Sequence, residues 1–383
     1  MDKRILILSV PKGSGHQQAA NALEKSFRSY YPEIEVVNAN FFDCTTNPIV
    51  ERVVNRTYLS ILKTTPEIWD YLYDNDRLAE WSAKFREYIN KRNSAKFKNF
   101  LIAYSPHAII CTQAFPCAVL STMKRSGEVK VPLVAAITDF EANTYWPSEG
   151  VDLFTVATEF TKDRLVTRGI PESQIEILGI PIDQVFSMPC NPEQIREKVG
   201  ISAQIKTVLV MGGSLGFGPI PEIVENLIQC QTRFQILVVA GLNKKLGNEL
   251  ERLISTSKHP LYIFGFIDNI NELMAISDII ITKPGGLTST EALAKNIPML
   301  IVKPIPGQEE KNSQFLVNQG VAIRTDEVNE VCSIVDNLFQ EETKLNEIKE
   351  RIKQFGSIDN PAKRIAGAVM NLIRSAEERH LYD

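Results

Sequence analysis

The chain has 383 residues, 44% of them hydrophobic and 23% charged, and a formal net charge of -4. That is enough apolar material for two ordinary domains of about 100–200 residues each, and the slightly acidic balance speaks against a general nucleic-acid binder, whose surface would be basic. No apolar run approaches the roughly 18 residues that span a bilayer, and the first one is too short, and too soon followed by glycines, for a cleaved leader. The six cysteines (Cys44, Cys111, Cys117, Cys190, Cys230 and Cys332) form no CxxC pair, so free thiols in a reducing compartment are expected rather than a disulfide or a metal set.

In chain order, strand-like apolar runs recur at Ile5 to Val10, Ile34 to Asn38, Ala108 to Thr112, Leu133 to Thr138 and Leu153 to Ala157, with helical patterns such as Gln17 to Arg28 and Thr161 to Arg168 between them. The alternation predicts βαβ units on a parallel sheet, and runs that are apolar throughout predict strands buried on both faces. The stretch GIPIDQVFSMPCNPEQ, from Gly179, carries three prolines and no period, and reads as a linker. The pattern then restarts at Thr207 to Met211, Gln235 to Ala240, Leu261 to Phe264, Asp278 to Thr282 and Met299 to Val302. Two α/β domains in tandem follow, with boundaries placed at 1–183 and 184–360. An amphipathic helix covers the tail from Pro361, and residues 361–383 are expected to pack back on the first domain.

Three glycine turns stand where a strand hands over to a helix. The first is Gly13-Ser14-Gly15-His16. It offers backbone N–H groups at a helix start, but a dinucleotide fingerprint would need glycine at position 18, where Gln18 stands. His16 falls at the carboxyl edge of the first strand, where open α/β sheets bind ligands. A neutral imidazole there could take a proton near pH 7; a helix-start histidine with no chemistry is the alternative. The second turn, Gly212-Gly213-Ser214-Leu215-Gly216-Phe217-Gly218, suits a pyrophosphate and lacks the GK[ST] of a Walker loop. The third, Thr282-Lys283-Pro284-Gly285-Gly286-Leu287-Thr288-Ser289-Thr290-Glu291, leads into a helix on which one carboxylate, Glu291, could accept both hydroxyls of a ribose. Thr288 and Glu291 also fit a capping box. A polar loop, Lys303 to Asn312, follows the next strand with side chains suited to sugar hydroxyls.

Taken together, GSGH, the TDF that begins at Thr138, GIPI at Gly179, GGSLG, TKPGGLTSTEA and PIPGQEEKN resemble the diacylglycerol glycosyltransferases, both the monogalactosyldiacylglycerol synthases and the processive bacterial glucosyltransferases. That family is similar to the N-acetylglucosaminyltransferase that makes lipid II. The resemblance implies a GT-B fold, two Rossmann-like doubly wound domains facing a cleft, with the UDP-sugar on the C-terminal domain. It implies inverting transfer of glucose or galactose to a lipid hydroxyl, with no cofactor and no metal. Carried over by motif, His16 is the base or positions it, and Asp139 faces the acceptor. Ser214 with Gly212 and Gly213 holds the diphosphate, and Gly15, Gly285, Gly286 and Thr288 also bind the donor. Phe266 lies by the uracil with the Ile267 backbone at its edge, Glu291 binds ribose, and Gln308 and Glu309 bind the hexose.

A lipid acceptor implies an anionic membrane surface as partner and a peripheral position on its cytoplasmic face. Trp81 and Phe85 recur at helical spacing beside Lys91, Arg92, Lys96 and Lys98 in an otherwise acidic chain, which suits lipid headgroups. A surface helix packed on its own domain is the alternative. Other classes compatible with the pattern are a transferase with another lipid-linked or soluble acceptor, a UDP-N-acetylglucosamine 2-epimerase-like enzyme and a non-catalytic UDP-sugar sensor.

Overall fold

The computed structural model describes residues 3–10, 14–45, 96–146, 149–213, 216–356 and 359–380. The chain divides into two compact units. The first holds the described residues up to Gln184, the short piece Pro306–Gln308 and the C-terminal helix; the second holds Val185–Ile305 and the described residues from Glu309 onward to Gly356. Pro306–Gln308, which lie within the span read from sequence as the second domain, cluster with the first unit.

The first unit is built on β1 (Arg4–Ser9), β2 (Glu35–Asn40), β3 (Ala108–Cys111), β4 (Leu133–Ala136), β5 (Leu153–Val156) and β6 (Ile175–Ile177), paired in parallel in the order β2-β1-β3-β4-β5-β6. Its helices are α1 (Gly15–Tyr30), α2 (Phe41–Thr45), α3 (96–104), α4 (Ala114–Arg125) and α5 (Glu159–Thr167). The pleat explains the unbroken apolar runs. Leu6 and Leu8 of β1 join Ile109, Leu133 and Phe154 in one core, while Ile5 and Ile7 join Ala108, Ile110 and Val134 in another on the opposite face.

The second unit repeats the plan with β7 (Lys206–Met211), β8 (Phe234–Val239), β9 (Leu261–Phe264), β10 (Ile279–Thr282), β11 (Met299–Val302) and β12 (Ala322–Thr325), parallel in the order β12-β11-β10-β7-β8-β9. Its helices are α6 (Pro192–Val199), α7 (Ile220–Leu227), α8 (Lys244–Glu251), α9 (Ile270–Ala275), α10 (Gly286–Ala294), α11 (Gln308–Asn318, all but its first residue), α12 (Val331–Gln340) and α13 (Glu342–Phe355). Val208, Val210, Ile236 and Ile279 meet Ile223, Val224 and Leu227 of α7 and Val335 and Leu338 of α12. The edge strands β6 and β12 are absent from the sequence reading. Their runs, IEI and AIRT, are short and put charged residues in the pattern, because an edge strand is only partly covered.

The last helix, α14 (Pro361–His380), lies against α1 in the first unit. Ile365, Val369 and Ile373 recur every fourth residue on one face and are buried with Leu23 and Phe27 of α1. The cysteine expectation is corrected at one pair. Cys230, just beyond α7, and Cys332, on α12, form a disulfide across a Cα–Cα distance of 5.4 Å. A separation of 102 residues hides that proximity from any spacing rule. Cys44, Cys111, Cys117 and Cys190 are free.

Ile365→Ala removes a fully buried side chain from this helix interface and is expected to cost about 2–5 kcal/mol of stability. Urea unfolding of the full chain measures it, and a loss below about 0.5 kcal/mol would show that α14 contributes nothing to the core.

Candidate functional site

In each sheet the strand order reverses direction once, between β1 and β3 in the first unit and between β7 and β10 in the second. Chains leave such a point in opposite directions, which opens a crevice at the carboxyl ends of the strands. The glycine turns predicted from sequence sit at these two points.

In the first unit, β1 runs into α1 through Ser14, whose side chain accepts the Gln17 N–H as the N-cap. Gly15, the first helical residue, is exposed. His16 follows, half-buried and held by the two strands next along the sheet. Thr112, the residue after β3, donates its hydroxyl to the His16 carbonyl at 2.9 Å. Thr138, two residues after β4, places its Oγ1 2.9 Å from His16 Nδ1. Both threonines are buried. Desolvation pushes the imidazole from 6.5 down to about 4, with the Thr112 backbone weakly opposing. The ring is therefore neutral across the physiological range. When its Nδ1–H is given to Thr138, Nε2 keeps a lone pair that can take a proton. Asp139, next to Thr138, is buried, and its carboxylate accepts from the side-chain amide of Gln308, which belongs to the same unit.

In the second unit, parallel pairing puts the ends of β7, β9, β10 and β11, and the motif loops that follow them, on one edge. After β7 the turn folds back on itself: the Phe217 N–H donates to Gly212 O at 2.9 Å, and the Gly216 N–H to Gly213 O at 3.1 Å. A Cβ on Gly212 would stand 2.1 Å from the Phe217 carbonyl, and Gly213 has φ +69°. The turn's own geometry demands these glycines. Ser214 lies outside the described residues.

Gly285 is different. Its φ is -64°, and a Cβ there would meet no atom of the described residues within 4 Å. Neither backbone conformation nor packing asks for glycine, so the space over the start of α10 is left open. The capping box expected from Thr288 and Glu291 does not form. The helix begins earlier, at Gly286 with Gly285 as its N-cap, and no side chain caps it. Thr288 falls inside the first turn and Glu291 in the second, both half-buried. The first N–H groups of α10 thus have no side-chain cap and border open space.

At the end of β9, Phe266 is 49% exposed, an unusual position for an aromatic ring, and Ile267 is half-buried. Asn312 Nδ2 donates to the Pro284 carbonyl at 3.0 Å, pinning the KPGG loop to α11. Glu309 Oε2 accepts the Ile305 N–H at 2.9 Å, while Oε1 lies 3.5 Å from Lys283 Nζ. The sequence reading missed Thr112, Thr138 and Lys283 as partners. A signal for the threonines was present: β3 and β4 are both followed closely by threonine at the same sheet edge.

Of the membrane segment, Trp81, Phe85, Lys91 and Arg92 lie outside the described residues. Lys96 donates to the Asp43 carbonyl and Lys98 pairs with Glu128 at 2.6 Å. Phe97 is buried and Phe100 packs on the same core, so this end of the segment is seated on its own unit. Among the described residues no helix is long and apolar enough to cross a membrane.

Comparison with known proteins matches both units. Residues 16–182 fit the family model described as monogalactosyldiacylglycerol (MGDG) synthase, and residues 207–366 the glycosyltransferase family 28 C-terminal domain. Among solved structures, MurG of Acinetobacter baumannii covers 96% of this chain, and is itself 99% covered, with a TM-score of 0.65 at 14% identity. A UDP-GlcNAc 2-epimerase from Neisseria meningitidis, bound to UDP-GlcNAc, covers 96% of this chain and is fully covered, with a TM-score of 0.60 at 16% identity. These share the GT-B fold. A protein of Bacillus cereus (strain B4264) named processive diacylglycerol beta-glucosyltransferase is 31% identical over 99% of this chain and 96% of its own length. On that likeness the chain belongs to the family of processive diacylglycerol beta-glucosyltransferases and is a glycosyltransferase.

Proposed function

We propose that this chain transfers a hexose from a UDP-sugar to the hydroxyl of diacylglycerol, with inversion, at the cytoplasmic face of a membrane to which it attaches peripherally. The observation that carries the reading is His16, a neutral imidazole whose Nδ1 is engaged by Thr138 and whose backbone is engaged by Thr112. The names of the Bacillus relatives support glucose as the sugar and diacylglycerol as the acceptor, and the first family model supports galactose as the competing donor. The neighbour with bound UDP-GlcNAc supports a UDP-sugar as donor.

In this reading the lipid hydroxyl gives its proton to His16 Nε2 as its oxygen bonds to the anomeric carbon. The bond from that carbon to the diphosphate oxygen breaks, and UDP leaves with the electron pair. One base suffices, since retention would need a second nucleophile, and inversion of an α-linked donor yields the β product for which the relatives are named. N–H groups of the Gly212–Gly213 turn and of the start of α10 stabilise the leaving group, so no resident cofactor is required. Phe266 stacks on the uracil, with the Ile267 backbone at its edge. Glu291 holds the ribose, Gln308 the hexose, and Asp139 the acceptor side. Trp81, Phe85, Lys91 and Arg92 meet the anionic lipid surface.

The test is a paired assay with labelled UDP-glucose and UDP-galactose, each with diacylglycerol in anionic mixed micelles. A labelled monoglucosyl lipid, followed by higher products, is the expected result. No glycolipid from either donor, together with conversion of UDP-N-acetylglucosamine in the absence of acceptor, would move the assignment to an epimerase.

His16→Ala is expected to lower turnover by at least about 100-fold with UDP affinity unchanged. Because the folded-state pKa is depressed, the neutral, proton-accepting form persists far below pH 6.5. The acid limb of kcat/KM should therefore lie near pH 4, lost only as pH falls through that value, and a limb near 6.5 would contradict the desolvated setting of the ring. Gly285→Val fills the open space over α10 without a backbone penalty at φ -64°. It should weaken UDP binding by about tenfold or more while costing only the roughly 1 kcal/mol that valine loses to glycine at an N-cap, both readable by a UDP-dependent thermal-shift titration.

A further inference from the structure

Lys283 is the first residue after β10, at the point where the second sheet reverses its strand order. Its side chain is only 14% exposed. The methylenes run along Gly218: a Cβ built there would stand 3.3 Å from Lys283 Cε, so the bare Cα gives the lysine stem its path. The ammonium lies 3.5 Å from Glu309 Oε1, and the other oxygen of that carboxylate is fixed by the Ile305 N–H at 2.9 Å. The lysine is thus flanked by the turn that follows β7 and, two residues further along its own loop, by the start of α10, which has no side-chain cap. A cation set among N–H donors makes a site for a dianion.

We propose that Lys283 is the cation that contacts the donor diphosphate and takes up the charge that grows on it as the sugar leaves, and that Glu309 positions this lysine instead of binding the hexose. The proposal rests on the UDP-sugar reading above. It reassigns Glu309, whose two oxygens are engaged by Ile305 and Lys283 in the structure. An ammonium tethered at one carboxylate can turn toward a diphosphate without leaving its partner, because its three N–H groups point in different directions.

The experiment compares UDP, UDP-glucose and uridine binding to the full chain and to three variants. Lys283→Met should weaken UDP by about 10- to 100-fold and leave uridine, titrated by NMR, unchanged; Lys283→Arg should recover most of the loss. Unchanged uridine binding shows that the Lys283→Met protein is folded. Glu309→Gln should weaken UDP and UDP-glucose by the same factor. Equal UDP affinity in Lys283→Met and the parent overturns the role of the lysine while leaving the donor reading intact. A Glu309→Gln effect confined to UDP-glucose returns Glu309 to the hexose and overturns its positioning role. A parent protein that binds neither UDP nor UDP-glucose overturns the donor reading, and this proposal with it.

Discussion

Parallel pairing is the constraint on which the rest depends. Every strand pair among the described residues runs in the same direction, so all the carboxyl ends of a sheet share one edge. Parallel neighbours need a crossover, and crossovers place helices on both faces. Both faces are then buried, which is why Ile5 and Leu6 can point in opposite directions and each still reach a core. The same geometry converts loops far apart in sequence into one surface. Thr112 and Thr138 reach His16 only because β3 pairs with β1 and β4 with β3, and Lys283 reaches the Gly218 turn only because β10 pairs with β7.

Most of this frame was legible in the sequence, and the parts that were not have physical reasons. Interior strands announce themselves because burial on two faces keeps charged side chains out of their middles and leaves only a few polar ones, such as Gln235 and Thr155, whereas β6 and β12 are edge strands and carry Glu176 and Arg324. The glycine turns were legible as turns, but not the difference between them. Gly212 is required by a backbone atom five residues away and Gly285 by no contact among the described residues, a contrast that only three-dimensional neighbours reveal. Thr288 and Glu291 have the spacing of a capping box, which would start α10 at Thr288. The backbone instead turns helical at Gly286, ahead of any capping side chain, and leaves those N–H groups for something else. The Cys230–Cys332 pair was illegible for the opposite reason: its closeness is set by the packing of α7 and α12 on one sheet face, and no local pattern encodes it.

The electrostatics of the two glycine-turn edges differ between the units. In the first unit His16 is kept uncharged: burial lowers its pKa, and the hydroxyl at its ring Nδ1 is that of Thr138, which neither adds charge nor competes strongly for a proton. A carboxylate at Nδ1 would have raised the pKa and made a stronger base. Threonine fixes the ring orientation without that gain, so the imidazole favours the proton-accepting state at rest over high basicity. In the second unit charge is present but balanced, with Lys283 beside Glu309 and Arg324 paired with Glu310 and Asp326. A half-buried cation without a counter-charge would be costly before any anion arrived. The carboxylate of Glu309 lowers that cost, and its tie to the Ile305 N–H keeps it from moving off with the lysine.

The C-terminal helix adds a constraint on folding order. The face of the first sheet that carries Ile5, Ile7 and Val134 is covered in part by Ile365, Val369 and Ile373. That core stays open until residues more than 350 positions downstream of β1 have been made, a separation that raises the loop-closure cost of completing it. Elements that emerge early must keep a partly exposed apolar face in the meantime. Alanine at Ala19, Ala20 and Ala22 of α1 suits this, because small side chains expose little apolar surface while uncovered and allow close helix–helix approach once α14 arrives. The second unit has no such dependence, since the described residues that cover its sheet come from within its own span. The second unit can therefore form on local contacts, whereas the first unit's core on the face that α14 covers is complete only when the C-terminal helix is present.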